Sequence, residues 1–280
     1  MNKYIQRAFR EAMKFSVIRY TLIKAYNTFK KNPVLKINNE TIFSSLNVNK
    51  TIKELDKYAL SETFLIDKST LNAIVEDCKN QLVFPHLKFD GSIIKDGQGQ
   101  KMDFDNPKPF QKDCIWFKYK DIQEWKSVNN IIYDPKILDI AKNYLGNNPI
   151  IRNQYLWWSF PAKANDNEDY DSPRYWFHYD IDDFKFLKIF IYLKDVDLQT
   201  GPHVVVKSTH KSKPWKYKFN RIINNSDLKG FFDDKEVVKL TGEKGTCFLE
   251  DTFTYHNGTP PQKPRLVLQI EYALTNLKLG

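Results

Sequence analysis

A chain of 280 residues with 41% hydrophobic and 15% aromatic content can bury a sizeable core, which excludes disorder and points to a single catalytic domain over residues 1–280. The net charge of +9 is no sign of nucleic-acid binding: residues 1–31 hold eight basic residues against one acid and so carry +7 of it, leaving the body nearly neutral. No stretch approaches the ~20 apolar residues that span a bilayer, the N-terminus lacks a signal-peptide core, and Cys78, Cys114 and Cys247 are odd in number and far apart, which argues against a disulfide framework or zinc site and for a reducing cytoplasm.

In chain order, Ile5, Phe9, Ala12, Val17, Leu22 and Phe29 recur at roughly helical intervals, so residues 1–33 are predicted as a basic amphipathic helix that Pro33 ends. Docking on the body, with its lysines in water, is the simpler expectation. A contact of residues 1–31 with an anionic membrane surface or an acidic partner is the sharper one. Residues 34–145 read as a helical and loop-rich support region. Within it, Asp67–Leu82 is a helix capped by Asp67 or Ser69, with Leu71, Ile74, Val75, Cys78 and Leu82 on one face. Residues 84–113 have no regular period and read as a long loop of the kind that forms lids. Asp134-Pro135 through Gly146 carries a helix start and stop in the preferred order.

Residues 146–280 are predicted as strands. The loop Lys163–Arg174 feeds the strand bearing His178, so it and residues 84–113 are the best candidates for choosing the substrate, with Trp157, Trp158, Tyr175 and Trp176 as aromatic candidates for the same mouth. His178 and Asp180 stand two apart, which on a strand puts both side chains on one face and Tyr179 on the other. His256 supplies a third ligand from the segment Gly245–His256, read as one strand broken by Asn257-Gly258. Two imidazoles and a carboxylate leave half of an octahedral ion open, the pattern of non-haem Fe(II) oxygenases. After a turn, Arg265 opens the return strand Leu266–Tyr272, expected beside the strand of His256; its planar fork of donors suits the far carboxylate of a bound oxo-acid. His210, between Lys207 and Lys211, together with His203 and His86, reads as structural or solvated rather than ligating.

At these residues the chain resembles a family. The run from Phe177 through His178, Asp180 and Lys188 to Asp197, then Gly201-Pro202 and Ser208-Thr209-His210, is similar to the phytanoyl-CoA dioxygenase family of Fe(II)/2-oxoglutarate oxygenases. The likeness extends upstream through Asp134–Gly146 and Leu156–Ser159 and covers roughly residues 130–275; where many members have Gly-Ser-His, this chain has Ser208-Thr209-His210. The resemblance implies a double-stranded β-helix, a mainly β jelly roll with flanking helices, over residues 146–280. It implies iron on His178, Asp180 and His256, and 2-oxoglutarate chelating the iron with its far carboxylate on Arg265. Lys188 and Thr259 are candidates for a second 2-oxoglutarate contact.

The expected reaction consumes O2 and 2-oxoglutarate, gives succinate and CO2, and hydroxylates a small organic molecule or a lipid- or glycan-type metabolite. Retention of Asp180 favours hydroxylation over halogenation. Two other classes use the same residues: a non-catalytic jelly-roll binding module, and a zinc hydrolase on the two histidines and the aspartate, which has no need of Arg265.

Overall fold

The computed structural model describes residues 3–111, 113–161, 175–217, 220–228 and 231–277, so the loop Lys163–Arg174 lies outside the described residues. The strands are β1 (Phe64–Leu65), β2 (Val83–Lys88), β3 (Cys114–Tyr119), β4 (Ile150–Ser159), β5 (Phe177–His178), β6 (Phe186–Tyr192), β7 (His203–Val206), β8 (Ile222–Ile223), β9 (Val237–Leu240), β10 (Thr246–Glu250), β11 (Tyr255–Gly258) and β12 (Arg265–Ala273). They form a major sheet in the order β1-β10-β6-β12-β4-β3-β2 and a minor sheet in the order β8-β5-β11-β7-β9. Every pairing is antiparallel.

Both faces of the major sheet are covered, which is why β6 and β12 are buried along their whole length instead of alternating. Along β6, Leu187, Ile189 and Ile191 join the large core on one side, whereas Phe190 and Tyr192 join a second cluster with Val205, Phe248 and Val267 on the other. The two-residue period of a strand thus splits one apolar segment between two cores. The chamber of interest lies on the second side, between the sheets.

Helix α4 (Lys68–Asn80) starts at Asp67, whose side chain accepts from Thr70 N at 2.8 Å, and buries Leu71, Ile74, Val75 and Cys78. Leu82 falls beyond its end and is exposed. Helix α6 (Pro135–Leu145) is capped by Asp134, which accepts from Lys136 N and Ile137 N, and ends at Gly146 with φ 77°, where a Cβ would be strained. Residues 84–88, read as loop, are strand: β2 pairs with β3 at the sheet's edge, the one place where Pro85 can sit in a strand without leaving a ladder acceptor unpaired. The stretch read as support therefore contributes β1, β2 and β3 to the major sheet.

The basic N-terminal segment forms two helices, α1 (Lys3–Met13) and α2 (Ser16–Phe29). They dock through Met13, Arg19 and Ile23, with the Phe9 ring 5.6 Å from that of Phe184. The break between them rotates the helical face, so Val17 and Phe29, expected to pack, are 77% and 88% exposed. All three cysteines are free and buried. No described helix is long and apolar enough to cross a membrane.

Candidate metal centre

The segment read as one strand, Gly245–His256, is two. β10 lies in the major sheet and β11 in the minor sheet, joined by a turn in which Thr254 N donates to Asp251 O at 3.0 Å. His256 on β11 faces His178 on β5 as its direct cross-strand partner, and their ring centroids are 4.4 Å apart. Asp180 lies past the end of β5. Strand alternation does not place it; its backbone N donates to Thr252 O in the β10–β11 turn at 2.7 Å, which ties both halves of the site together. Tyr179 does point away, into an edge-to-face packing with Phe253 and Tyr255. His178, Asp180 and His256 bring one potential ligand atom each to within 4.8 Å of one another.

The donor set fits a divalent ion. In both histidines Nδ1 faces the carbonyl of the residue two before it: His178 Nδ1 meets Trp176 O at 3.2 Å and His256 Nδ1 meets Thr254 O at 3.0 Å. A carbonyl can only accept, so each Nδ1 carries the hydrogen and each Nε2 keeps its lone pair free for a metal. Burial pushes the His256 imidazole down to about 4, so it is neutral as a ligand must be. Burial opposes ionisation of Asp180, but the Lys188 ammonium outweighs it and holds the carboxyl far below the usual range. Lys188 Nζ lies 2.8 Å from both Asp180 Oδ2 and Asp182 Oδ2.

Arg265 opens β12, which pairs with β4 and β6 and not with β11, so the expected hairpin is absent. The guanidinium still approaches the end of the metal strand: a Cβ on Gly258 would stand in ordinary contact, 3.5 Å from Arg265 Nη2. Arg265 is buried, and its Nε has no hydrogen-bond partner. Two more unpartnered buried donors share its surroundings. Ser159 is the cross-strand partner of Arg265 and therefore shares its face, and Trp157, two residues back on β4, shares it too. Ser159 Oγ and Trp157 Nε1 are both unsatisfied. Buried polar atoms without partners are uncommon and costly, so three donors left open on one patch mark a place for an anion.

No known family model matches the chain. A probable alpha-ketoglutarate-dependent hypophosphite dioxygenase of Stutzerimonas stutzeri is 25% identical over 155 residues, which is 52% of this chain; the chain spans about half the length of this curated relative (53%). Among solved structures, HygX of Streptomyces hygroscopicus, with nickel, 2-oxoglutarate and hygromycin B bound, matches at TM-score 0.54 and 10% identity over 83% of this chain and 89% of that one. AviO1 of Streptomyces viridochromogenes matches at 0.52 and 12% over 84% and 98%. EctD from S. alaskensis with bound Fe matches at 0.51 and 15% over 87% and 85%. The fold is that of the double-stranded β-helix 2-oxoglutarate oxygenases.

Within this oxygenase fold the two residues read as candidates for a second 2-oxoglutarate contact already have protein partners. Lys188 is held at the metal end by two carboxylates, and Thr259 Oγ1 donates to Pro202 O at 2.8 Å. Ser159 and Trp157, which no sequence reading singled out as polar contacts, lie on the face of Arg265; the signal available in the sequence was a serine closing the apolar run Leu156-Trp157-Trp158-Ser159. Trp158 faces the opposite core, against Phe104 and Phe160.

His203 also proves closer to the site than expected. Its ring lies 5.3 Å from that of His256, stacks on Phe190 and Phe248, and its Nε2 is 2.7 Å from Glu250 Oε2. That contact has the geometry of an ion pair, yet burial pushes the Glu250 carboxyl up to about 8 and the His203 imidazole down to about 3, so both partners are neutral and share a hydrogen bond. The clue was Glu250 itself, an acid ending the apolar run Thr246–Leu249. His210 is buried away from the triad, with Nε2 donating to Asp56 O at 3.2 Å.

Proposed function

We propose that the protein is a non-haem Fe(II)- and 2-oxoglutarate-dependent dioxygenase that hydroxylates a small organic molecule, in the phytanoyl-CoA-dioxygenase-like branch its motifs resemble. The observation that carries this reading is the pairing of two features in one chamber: imidazoles tautomerically fixed to offer Nε2 beside Asp180, and the unpartnered donors Arg265 Nε, Ser159 Oγ and Trp157 Nε1. His178, Asp180 and His256 would hold the iron. Arg265, with Ser159 and Trp157, would hold the far carboxylate of 2-oxoglutarate. Bound iron and 2-oxoglutarate would supply, with O2 as oxidant, the oxidative decarboxylation to succinate and CO2 that leaves one oxygen atom for hydroxylating the substrate. The chain's own part is to orient these groups and keep the chamber dry: Phe190 and Phe248 form an apolar wall, and Lys188 offsets the charge of Asp180 and Asp182.

A zinc hydrolase needs a general base near the metal-bound water. Glu250, the carboxyl beside His256, already shares a hydrogen bond with His203 and faces the Nδ1 side of His256, away from the Nε2 that would meet a metal. Anaerobic titration with Fe(II) and 2-oxoglutarate, followed by the visible charge-transfer band of the chelate, tests the proposal. A band that saturates at one equivalent is expected, and its absence with both bound would refute it.

The exposed Tyr4, Val17, Tyr20 and Phe29, set among Arg7, Lys24, Lys30 and Lys31, favour a second role for the N-terminal helices as a weak contact with an anionic membrane surface. Co-sedimentation with anionic vesicles that fails at low salt would remove it.

A further inference from the structure

On the side of the major sheet that faces the metal chamber, past the reach of the minor sheet, β2, β3 and β4 enclose a cavity of about 230 Å³. Its polar lining is His86, Lys95, Lys118, Lys120, Gln154 and Tyr155. Three lysines and a histidine thus converge, and among the described residues no carboxylate lines the cavity or pairs with Lys95, Lys118 or Lys120. The two best-placed cations rest on aromatic faces instead: Lys118 Nζ is 4.2 Å from the Tyr155 ring centroid and Lys120 Nζ is 3.8 Å from that of Phe84. Burial alone pushes the Lys118 ammonium down to about 8, with no anion beside it to offset the loss of water. Contrast Lys188, more deeply buried, which two carboxylates neutralise. The loop after β2 is fixed across the cavity by Ile94 N donating to His86 O at 2.8 Å and by Gly97, where a Cβ would collide with Pro85 at 2.2 Å.

The cavity is continuous in register with the metal chamber. Lys118 is the cross-strand partner of Trp157, one of the three open donors. Tyr155 aligns through Gln269 with Phe190, whose ring stacks on His203 beside His256. Two strand spacings separate Tyr155 from Phe190, roughly 10 Å, and Tyr155 feels the charges of Glu271, Lys188 and Asp182.

We infer that this cavity binds the anionic end of the primary substrate, a phosphate, sulfate or carboxylate group whose lysine partners on β3 stand three strand spacings, roughly 14 Å, from Phe190 at the wall of the metal chamber. Tyr155 and Gln154 supply neutral donors at its rim, and Lys118 and Lys120 supply the charge. That the anion belongs to a substrate rests on the oxygenase reading; the cavity's affinity for anions does not.

The experiment therefore uses the full chain without metal or 2-oxoglutarate, titrated calorimetrically with inorganic phosphate and, separately, with acetate. In the Arg265→Ala background, which removes the anion patch beside the metal centre, saturable binding of at least one of them is expected, weakened tenfold or more by adding Lys118→Met and severalfold by Lys120→Gln, the latter at an exposed position. Lys68→Met, which removes the same charge from an exposed site on α4, should bind as that background does. Tighter phosphate marks a phosphorylated or sulfated substrate, and tighter acetate a carboxylated one. Binding of neither anion, or equal weakening in Lys68→Met, overturns the inference even if the iron and 2-oxoglutarate titration succeeds.

Discussion

Glu250 and Asp251 are consecutive, yet they enter two buried polar clusters of opposite character. Glu250 points between the sheets to His203 and His256; Asp251 points outward, where Arg19 Nη2 of α2 lies at 3.3 Å and Tyr144 OH donates at 2.6 Å. Around Asp251 and Arg19 the outward cluster is closed, although the neighbouring His210 Nδ1 lacks a partner. Arg19 also donates from Nε to Phe184 O at 2.7 Å and lies 3.7 Å over the Phe253 ring, and Asp251 accepts from Phe253 N. The inward cluster is open: Glu250 Oε1 and, further along the chamber, Arg265 Nε, Ser159 Oγ and Trp157 Nε1 have no partner. A polar group that is buried and satisfied holds the fold together, whereas one that is buried and unsatisfied carries a cost that a ligand can remove. The same strand end thus separates a structural anchor from a binding site.

The sharpest way to break this contrast is at the triad. His178→Ala, Asp180→Ala and His256→Ala should each abolish Fe(II)-dependent turnover and lose bound iron by metal analysis, whereas His210→Ala should keep it. Equal iron in all four variants would move the centre elsewhere. Next in size is the anchor. Arg19→Met leaves Asp251 buried without its counter-charge, which costs about 3–5 kcal/mol. A lower Tm with unchanged iron affinity in the folded protein is expected, and a matching loss of iron affinity would show that the two clusters are not separate.

Acid should probe the anchor side next. Burial lowers the His210 imidazole from its usual 6.5 to about 4, so its neutral form is the folded one. The stability it contributes is complete above about pH 6.5 and is lost as pH falls to 4, where folding no longer excludes its proton. Chemical denaturation should show the advantage of wild type over His210→Gln shrinking across that window by up to about 3 kcal/mol; a constant difference would mean that His210 is not buried neutral.

At the open end the effects are smaller and fall on the cosubstrate. Arg265→Ala should weaken 2-oxoglutarate by one to two powers of ten, about 1.5–3 kcal/mol, with iron retained. Ser159→Ala should cost about 0.5–1.5 kcal/mol in the same calorimetric titration. Unchanged affinity in Arg265→Ala would return the anchoring role to another cation.

The sequence by itself singled out the candidate chemistry-bearing set. His178, Asp180, His256 and Arg265 were legible because ligand type, the two-residue spacing and the late histidine and arginine are properties of the chain, as were the caps Asp67 and Asp134 and the stop at Gly146, each fixed by its neighbours within a turn. What only the tertiary structure decided was the company these residues keep. Lys188 is an apparently ordinary strand lysine until the β5–β6 connection brings Asp180 and Asp182 to it. Thr259 was near in sequence but is engaged by Pro202. Ser159 and Trp157 became candidates through the β4–β12 register, more than 100 residues apart in the chain, and Asp180 is placed by a backbone bond to Thr252 and not by strand alternation. The division of Gly245–His256 between two sheets, and of the N-terminal segment into two helices, follows from the same cause. Local propensity fixes which conformation a segment favours, but burial against distant partners fixes where it bends and which face it hides.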